Sequence, residues 1–330
     1  MSAPAVTRPS VPIRPADPDA GLPANALGRE KSSVEIGAMY AFVVVPFIAL
    51  AVAVPFAWGW GLTWTDVALF AAFYVPTVLG VTVGFHRHFT HGSFKANRAL
   101  RIALAIVGSM AIQGPVVQWV ADHRRHHAFS DREGDPHSPW RYGTDRRALL
   151  KGMFHAHVGW LFERKKTNTA RYAPDLVKDE ALAATSRLFV VWAAISVLLP
   201  AVLGGLISMS WAGAVTAFFW AGLVRIALSH HVTWSINSLC HTIGTRPFAA
   251  RDRSTNFWPL AVLSMGEAWH NLHHADPTCA RHGVLRGQID ISARVIWIFE
   301  KLGWARDVKW PDPVRLAAKR RVPAPAAPAA

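Results

Sequence analysis

The chain alternates long apolar blocks with polar, basic stretches. Residues 36–58 run 23 positions without a charge, and residues 67–85 run 19. A helix that crosses a bilayer needs about 20 such residues, so both blocks predict spans. Pro46, Pro55 and Pro76 lie inside them, which membrane helices tolerate. The link GWGLTWTD is short, so the two spans form a hairpin. Residues 188–228 are a third block, 41 positions with Arg225 as the one charge, broken near the middle by GGLISMS. They predict a second hairpin, with spans at 188–207 and 211–230. Arg225, near the end of its helix, is expected to snorkel to the interface.

Residues 100–120 are apolar but interrupted by Gln113, Pro115 and Gln118. A single crossing here would put the histidine-rich stretches on its two sides on opposite faces of the membrane. Reading those stretches as one site makes the segment an interfacial or re-entrant helix. The expected fold is an all-α membrane protein: four transmembrane helices in two hairpins, with a helical cap on the cytosolic side. Residues 1–35, rich in Pro, Ala and charge, predict a disordered tail. No apolar core follows a basic start there, so it does not read as a signal peptide. Residues 311–330, ending VPAPAAPAA, predict a second tail, which leaves 36–310 as the folded domain.

Charge orients this arrangement. The chain is 52% hydrophobic yet carries a formal charge of +14. Lys and Arg number 4 in residues 1–35, 17 in 86–187 and 13 in 234–330, and the two hairpin links have none. Positive charge marks the cytosolic side, so both termini and the histidine-rich stretches are expected on the cytosolic face of the cell membrane. Basic charge lying between spans, with no nucleic-acid motif, argues against a nucleic-acid partner. Two cysteines, Cys240 and Cys279, with no CxxC, argue against a zinc ribbon, an iron–sulfur cluster or a disulfide framework. Cys240 adjoins His241 and reads as a free thiol.

Three histidine clusters stand beside the spans: HRHFTH at 86–91, HRRHH at 123–127 and HNLHH at 270–274. The last two share the spacing i, i+3, i+4, which projects from one helix face. Neutral imidazole suits Fe, Zn, Cu and Ni. His86, His91, His123, His126, His127, His270, His273 and His274 are too many for one ion and fit two ions at about four each. The lone histidines His88, His137, His155, His230, His231 and His282 read as structural or exposed, and His157 as no closer than behind a ligand. HExxH is absent, so zincin hydrolysis is unsupported. The ExxH pairs of carboxylate-bridged diiron bundles are absent too. Asp122 and Glu267 adjoin clusters and are expected to orient ligand rings through the free ring N–H.

HRHFTH, DHRRHH and GEAWHNLHH resemble the three histidine boxes of the integral-membrane fatty acid desaturases. DREGDPHSP, FHAHVGWLFERK and NSLCH resemble stretches of the stearoyl-CoA Δ9 desaturases, and GEAWHNLHHA with CARHG and GQID resembles the bacterial and cyanobacterial Δ9 branch. The resemblance runs from about residue 40 to 310. It implies two ferrous ions, His241 as a ninth ligand, and Asn237 holding a metal-bound water. It implies oxygen-dependent removal of two hydrogens from a saturated acyl chain, giving a cis Δ9 double bond. An acyl channel would be lined by Gln113, Trp119 and Trp234, with Arg164 and Lys165 meeting the head group. Two positions depart from the vertebrate acyl-CoA enzymes. Ala121 replaces a basic residue and Gly114 an asparagine, which leaves CoA, lipid and carrier-protein head groups open. No cytochrome b5, Rossmann or iron–sulfur motif is present. Electrons are therefore expected from a separate ferredoxin, rubredoxin or flavoprotein reductase, drawn to the basic face. Two other readings compete. One is a membrane diiron hydroxylase of alkanes or carotenoids. The other is a histidine-rich metal transporter, which would place its ligands inside the spans.

Overall fold

The computed structural model describes residues 26–56 and 61–321. Four of its helical segments are long and apolar enough to cross a membrane: Ser33–Val52, Trp64–Thr90, Phe189–Ser208 and Trp211–His241. After strand β1 (Leu27–Glu30), helix α1 (Ser33–Phe56) is the first span. Helix α2 (Trp64–Leu79) starts on a capping box. Thr63 Oγ1 accepts the Asp66 amide and Asp66 Oδ2 accepts the Thr63 amide, satisfying two donors that a helix start leaves open. Asp66 also accepts Thr216 Oγ1–H at 3.0 Å, which ties the two hairpins together. Trp64 and Trp211, which open the second and fourth of these apolar segments, are 87% and 90% exposed, as interfacial anchors are.

Helix α2 does not stop at Leu79. It widens into a π-helix over Gly80–Thr90 and carries the first histidine cluster at its end. Strand β2 (Lys95–Ala96) follows, then α3 (Arg98–Ser109), capped by Asn97, and α4 (Val116–Phe129). The ambiguous apolar segment is therefore two short helices. The chain turns between them through Ile112 and Gly114, both at positive φ, and re-enters helix after Pro115. The close crossing of α3 and the π-helix needs Gly80: a Cβ there would lie 2.3 Å from the Gly108 nitrogen.

The cap continues with α5 (Arg146–His157), β3 (Lys165–Thr167) and three short helices, α6 (Thr169–Tyr172), α7 (Pro174–Val177) and α8 (Glu180–Arg187). The second hairpin is α9 (Phe189–Ser208) and α10 (Trp211–Ala217). The latter runs through a π-helix at Phe218–Val224 into α11 (Arg225–Ser238). Helix α12 (His270–Ala275), α13 (Ile291–Lys301), β4 (Ala305–Arg306) and α14 (Pro313–Lys319) complete the cap. The strands make two small antiparallel pairs, β1 with β3 and β2 with β4.

Three expectations are corrected here. The helix holding Arg225 continues past it to Ser238, so Arg225 lies mid-helix and does not reach an interface. It is fully buried and donates to the Ala221 carbonyl (2.6 Å), the Ser196 carbonyl (3.0 Å) and Ser196 Oγ (2.7 Å). Residues 26–35, read as tail, are ordered: β1 pairs with β3, and Glu35 binds Arg29 and Lys166. At the other end, α14 is ordered and Arg320 bridges to Phe248. The remainder of both predicted tails, 1–25 and 322–330, positions 57–58 of the first predicted span and 59–60 of the link after it lie outside the described residues.

Candidate metal centre

The nine histidines singled out as ligands converge from four segments, although up to 188 positions separate them in the chain. Their ring nitrogens form two groups. His86, His91, His123, His127 and His273 are one, and His126, His241, His270 and His274 are the other; within each, the candidate ligand atoms lie within 4.8 Å of one another. Local helix geometry explains both composition and spacing. His86 and His91 are five apart, which on an α-helix would put them about 140° apart. The π-helix closes i→i+5 bonds, seen where the His91 amide donates to the His86 carbonyl. That wider turn brings both rings to one side. The repeated HxxHH also becomes legible. On α4, His123 and His127 join the first group and His126 the second; on α12, His270 and His274 join the second and His273 the first. In both helices i and i+4 share one group and i+3 serves the other, so the same motif, used twice, builds two neighbouring sites.

Carboxylates fix the rings. Nδ1 of His86 is 2.6 Å from Glu267, His126 2.9 Å from Asp135, His241 2.8 Å from Asp131 and His274 2.6 Å from Asp252. An Nδ1–H that donates to a carboxylate leaves Nε2 as a bare lone pair. Those lone pairs face other imidazoles. His241 and His274 both aim Nε2 at His270 Nε2, at 3.1 and 2.9 Å. His270 Nε2 carries one proton at most, so at least one of these contacts sets two lone pairs against each other. The other group repeats the pattern, with Nε2 separations of 3.0 Å for His86–His273, 2.9 Å for His273–His127 and 3.1 Å for His127–His123. His91 Nε2 is buried with no hydrogen-bond partner. Burial first, then mutual repulsion among neighbouring rings, pushes His91, His123, His127, His270, His273 and His274 well below the ordinary histidine value. These six rings held neutral, with ring nitrogens converging in each group, fit a cation at the middle of each group.

Outside the rings, burial alone would raise the Asp135 and Glu267 carboxyls. The imidazoles beside them, and Arg87 beside Glu267, outweigh this and hold both low, hence ionised. Arg87 is itself fully buried. It donates to Glu267 (3.1 Å), Asp290 (3.0 Å) and the Ala280 carbonyl (2.8 Å). Glu267 therefore stands at a ligand ring, as its position next to a cluster suggested. Asp122 does not: its hydrogen-bond partners are Gln118 and Thr167, and burial raises its carboxyl. Asp131, Asp135 and Asp252 were not singled out from the sequence. Two of them lie within DREGDPHSP, quoted above only for its resemblance. His137 and His282, read as lone histidines, are buried against the site: the His137 ring is 4.3 Å from that of His126, and His282 Nδ1 is 3.5 Å from Glu267. The remaining lone histidines have ordinary partners, such as His230 with the Ala111 carbonyl and His157 with His231 and Ser238. Cys240 sits in an apolar cluster with Ile236, Ala261, Ala268 and Trp269.

A cavity of about 590 Å³ runs from the first group of rings into the helices. Met39, Phe42 and Val43 of α1, Trp119 of α4, and Thr233 and Trp234 of α11 line it, and it reaches His123 and Asn237. The Trp119 ring stacks on His123 with centroids 5.1 Å apart, and Gln113 Nε2 donates to Thr233 Oγ1 at 2.9 Å. Lys31, Arg141, Lys165, Lys166 and Arg187 also line it. Arg164 does not line it; it is exposed, and its carbonyl accepts the Lys31 amide.

Four helices long and apolar enough to cross a membrane, with two histidine groups that could each hold a metal ion and a cavity reaching one of them, fit a membrane metalloprotein. The comparisons narrow this class: the chain belongs to the fatty acid desaturase family, whose model matches residues 62–284. It is 40% identical to a hex-5-enoyl-[acyl-carrier protein] acetylenase of Moorena producens (strain JHB), over 84% of this chain and 87% of that one. It is 37% identical to an acyl-CoA C20 Delta5-desaturase of Anemone leveillei, over 79% and 78%. It is 34% identical to an sn-1 stearoyl-lipid 9-desaturase of Anabaena variabilis, over 84% and 91%. The chain is thus an oxidoreductase of a metal-dependent family that uses oxygen on acyl substrates in a membrane setting.

Proposed function

We propose that this chain is an oxygen-dependent fatty acyl desaturase that holds two iron ions and introduces a cis Δ9 double bond into a saturated chain. The observation that carries the reading is the pair of adjoining histidine groups, one of which opens through His123 onto a cavity with an apolar stretch between helices α1, α4 and α11. Nine imidazoles would hold the irons: His86, His91, His123, His127 and His273 one, His126, His241, His270 and His274 the other. Asn237, at the cavity wall, would hold a water beside them. Iron bound there would supply the oxygen activation needed to take hydrogen from an unactivated methylene, which no side-chain acid or base can deprotonate.

The chain's own residues do the rest. Trp119, pressed against His123, and Trp234 and Gln113 along the wall position the chain and exclude water at the reacting carbons. Lys165 and Lys166 at the cavity, with Arg164 on the adjacent surface, meet an anionic head group. The names of the relatives include carrier-protein, CoA and lipid substrates, so the head group is a matter for assay. The 9-desaturase of Anabaena supports Δ9, while the Delta5 enzyme and the acetylenase support other positions and outcomes. Electrons come from a separate ferredoxin, rubredoxin or flavoprotein reductase that docks on the basic face. The positive-inside rule sets that face, and both termini, in the cytosol of a cell membrane.

The test is expression in a desaturase-deficient host, with double bonds located by derivatisation and mass spectrometry. A new Δ9 monoene is expected. A monoene at another carbon, or a triple bond, would overturn the Δ9 assignment, and an oxygenated product would favour the hydroxylase.

A further inference from the structure

The two histidine groups differ in what stands behind their rings, a difference that, on the diiron reading above, sets how firmly each iron is held. In the four-histidine group three rings give Nδ1–H to three separate acids: His126 to Asp135, His241 to Asp131, His274 to Asp252. In the five-histidine group only His86 has a carboxylate among the described residues. That carboxylate, Glu267, is shared with Arg87 and lies 3.5 Å from His282. Arg246, a cation near Asp131 and Asp252, gives its guanidinium to the backbone carbonyl of Asp252. Burial differs in the same sense. All four rings of the smaller group are buried, whereas His91, His123 and His127 of the larger one are half-buried and His123 faces the cavity.

A carboxylate behind an imidazole fixes its tautomer and makes the opposite nitrogen a stronger donor. Removing one such partner typically costs about 10–100-fold in metal affinity. The fifth imidazole of the larger group works the other way. It is one donor set against two additional carboxylates and complete burial.

We propose that the four-histidine group, backed by Asp131, Asp135 and Asp252, is the retained iron position, and that the five-histidine group beside the cavity is the exchangeable one. The full chain in detergent, loaded anaerobically with Fe2+, is challenged with excess ferrous chelator. The iron left on the protein is followed by elemental mass spectrometry. Two phases are expected, each releasing half of the iron. Asp252→Asn should speed the slow phase by about 10–100-fold and spare the fast one, and Glu267→Gln should act on the fast phase alone. Unchanged elution and unfolding of both variants would exclude a general loss of fold. Release of both irons in one phase, or Asp252→Asn acting on the fast phase, would overturn the asymmetry and leave the diiron reading standing. A chain that takes up no iron contradicts that reading itself, and the asymmetry falls with it.

Discussion

Helices α9 and α12 show how differently one chain can solve the problem of burial. Helix α9 has twenty residues, FVVWAAISVLLPAVLGGLIS, and turns Val190, Leu198, Val202, Leu206 and Ile207 outward. Lipid can cover these side chains, so the helix needs few partners and its composition alone announces it. Helix α12 has six residues, HNLHHA. It buries five of them, four of which are polar. A buried polar group must be hydrogen-bonded or it costs stability. Asn271 accepts the Phe248 amide at 2.7 Å, donates to the Ser254 carbonyl at 3.2 Å, and its own amide donates to Asn256 at 2.9 Å. Such a helix exists only because distant segments meet its needs. The spans are a generic scaffold, and the cap is a specific network.

This contrast orders the expected effects of substitution. Arg87→Met should be the most damaging, because it leaves Glu267 and Asp290 as buried carboxylates without their shared cation. Removing one partner of a buried ionic set costs about 3–5 kcal/mol, read as lowered unfolding temperature in detergent together with lost iron. Asn271→Leu should cost about 1–3 kcal/mol for each backbone group it leaves unpaired, by the same measurement. Gly80→Ala strikes the joint between the two regions. Its Cβ would meet the Gly108 backbone at 2.3 Å, and overpacking of this kind costs about 1–3 kcal/mol; iron content should fall with it, since His86 and His91 lie on the displaced element. Leu198→Ala, on the lipid-facing side of α9, should stay within about 0.5 kcal/mol. A loss there as large as that of Asn271→Leu would break the contrast.

The same contrast separates what the sequence reveals from what it hides. Span lengths and the hairpin links follow from uncharged runs, and the structure differs mainly at the fourth helix, which continues to His241 beyond the expected end. The HxxHH spacing reveals one-sided histidine presentation, and the demand for a shared site correctly forbids residues 100–120 from crossing. The division of each motif between two groups is not legible, because it depends on how α4 and α12 face each other. The π-helix that aligns His86 with His91 leaves no mark in residue pattern. Asp131 and Asp252 look like loop acids, since their partners, 110 and 22 positions away, are a product of the fold, and Asp135 reaches His126, nine positions back, only through the turn that follows α4. Arg225 is misread for a related reason: the end of the apolar run gives a helix end too early, and its neighbours Ser196 and Thr77 come from other spans.

The central claim is that the converging imidazoles form the iron centre that performs the desaturation. Its most direct test compares wild-type chain with His270→Ala in the same desaturase-deficient host. Iron per purified chain and monoene in the total fatty acids are measured together, with membrane insertion checked in parallel. The account predicts equal insertion, lowered iron and no monoene in the variant. Full monoene formation by an inserted His270→Ala chain would contradict it.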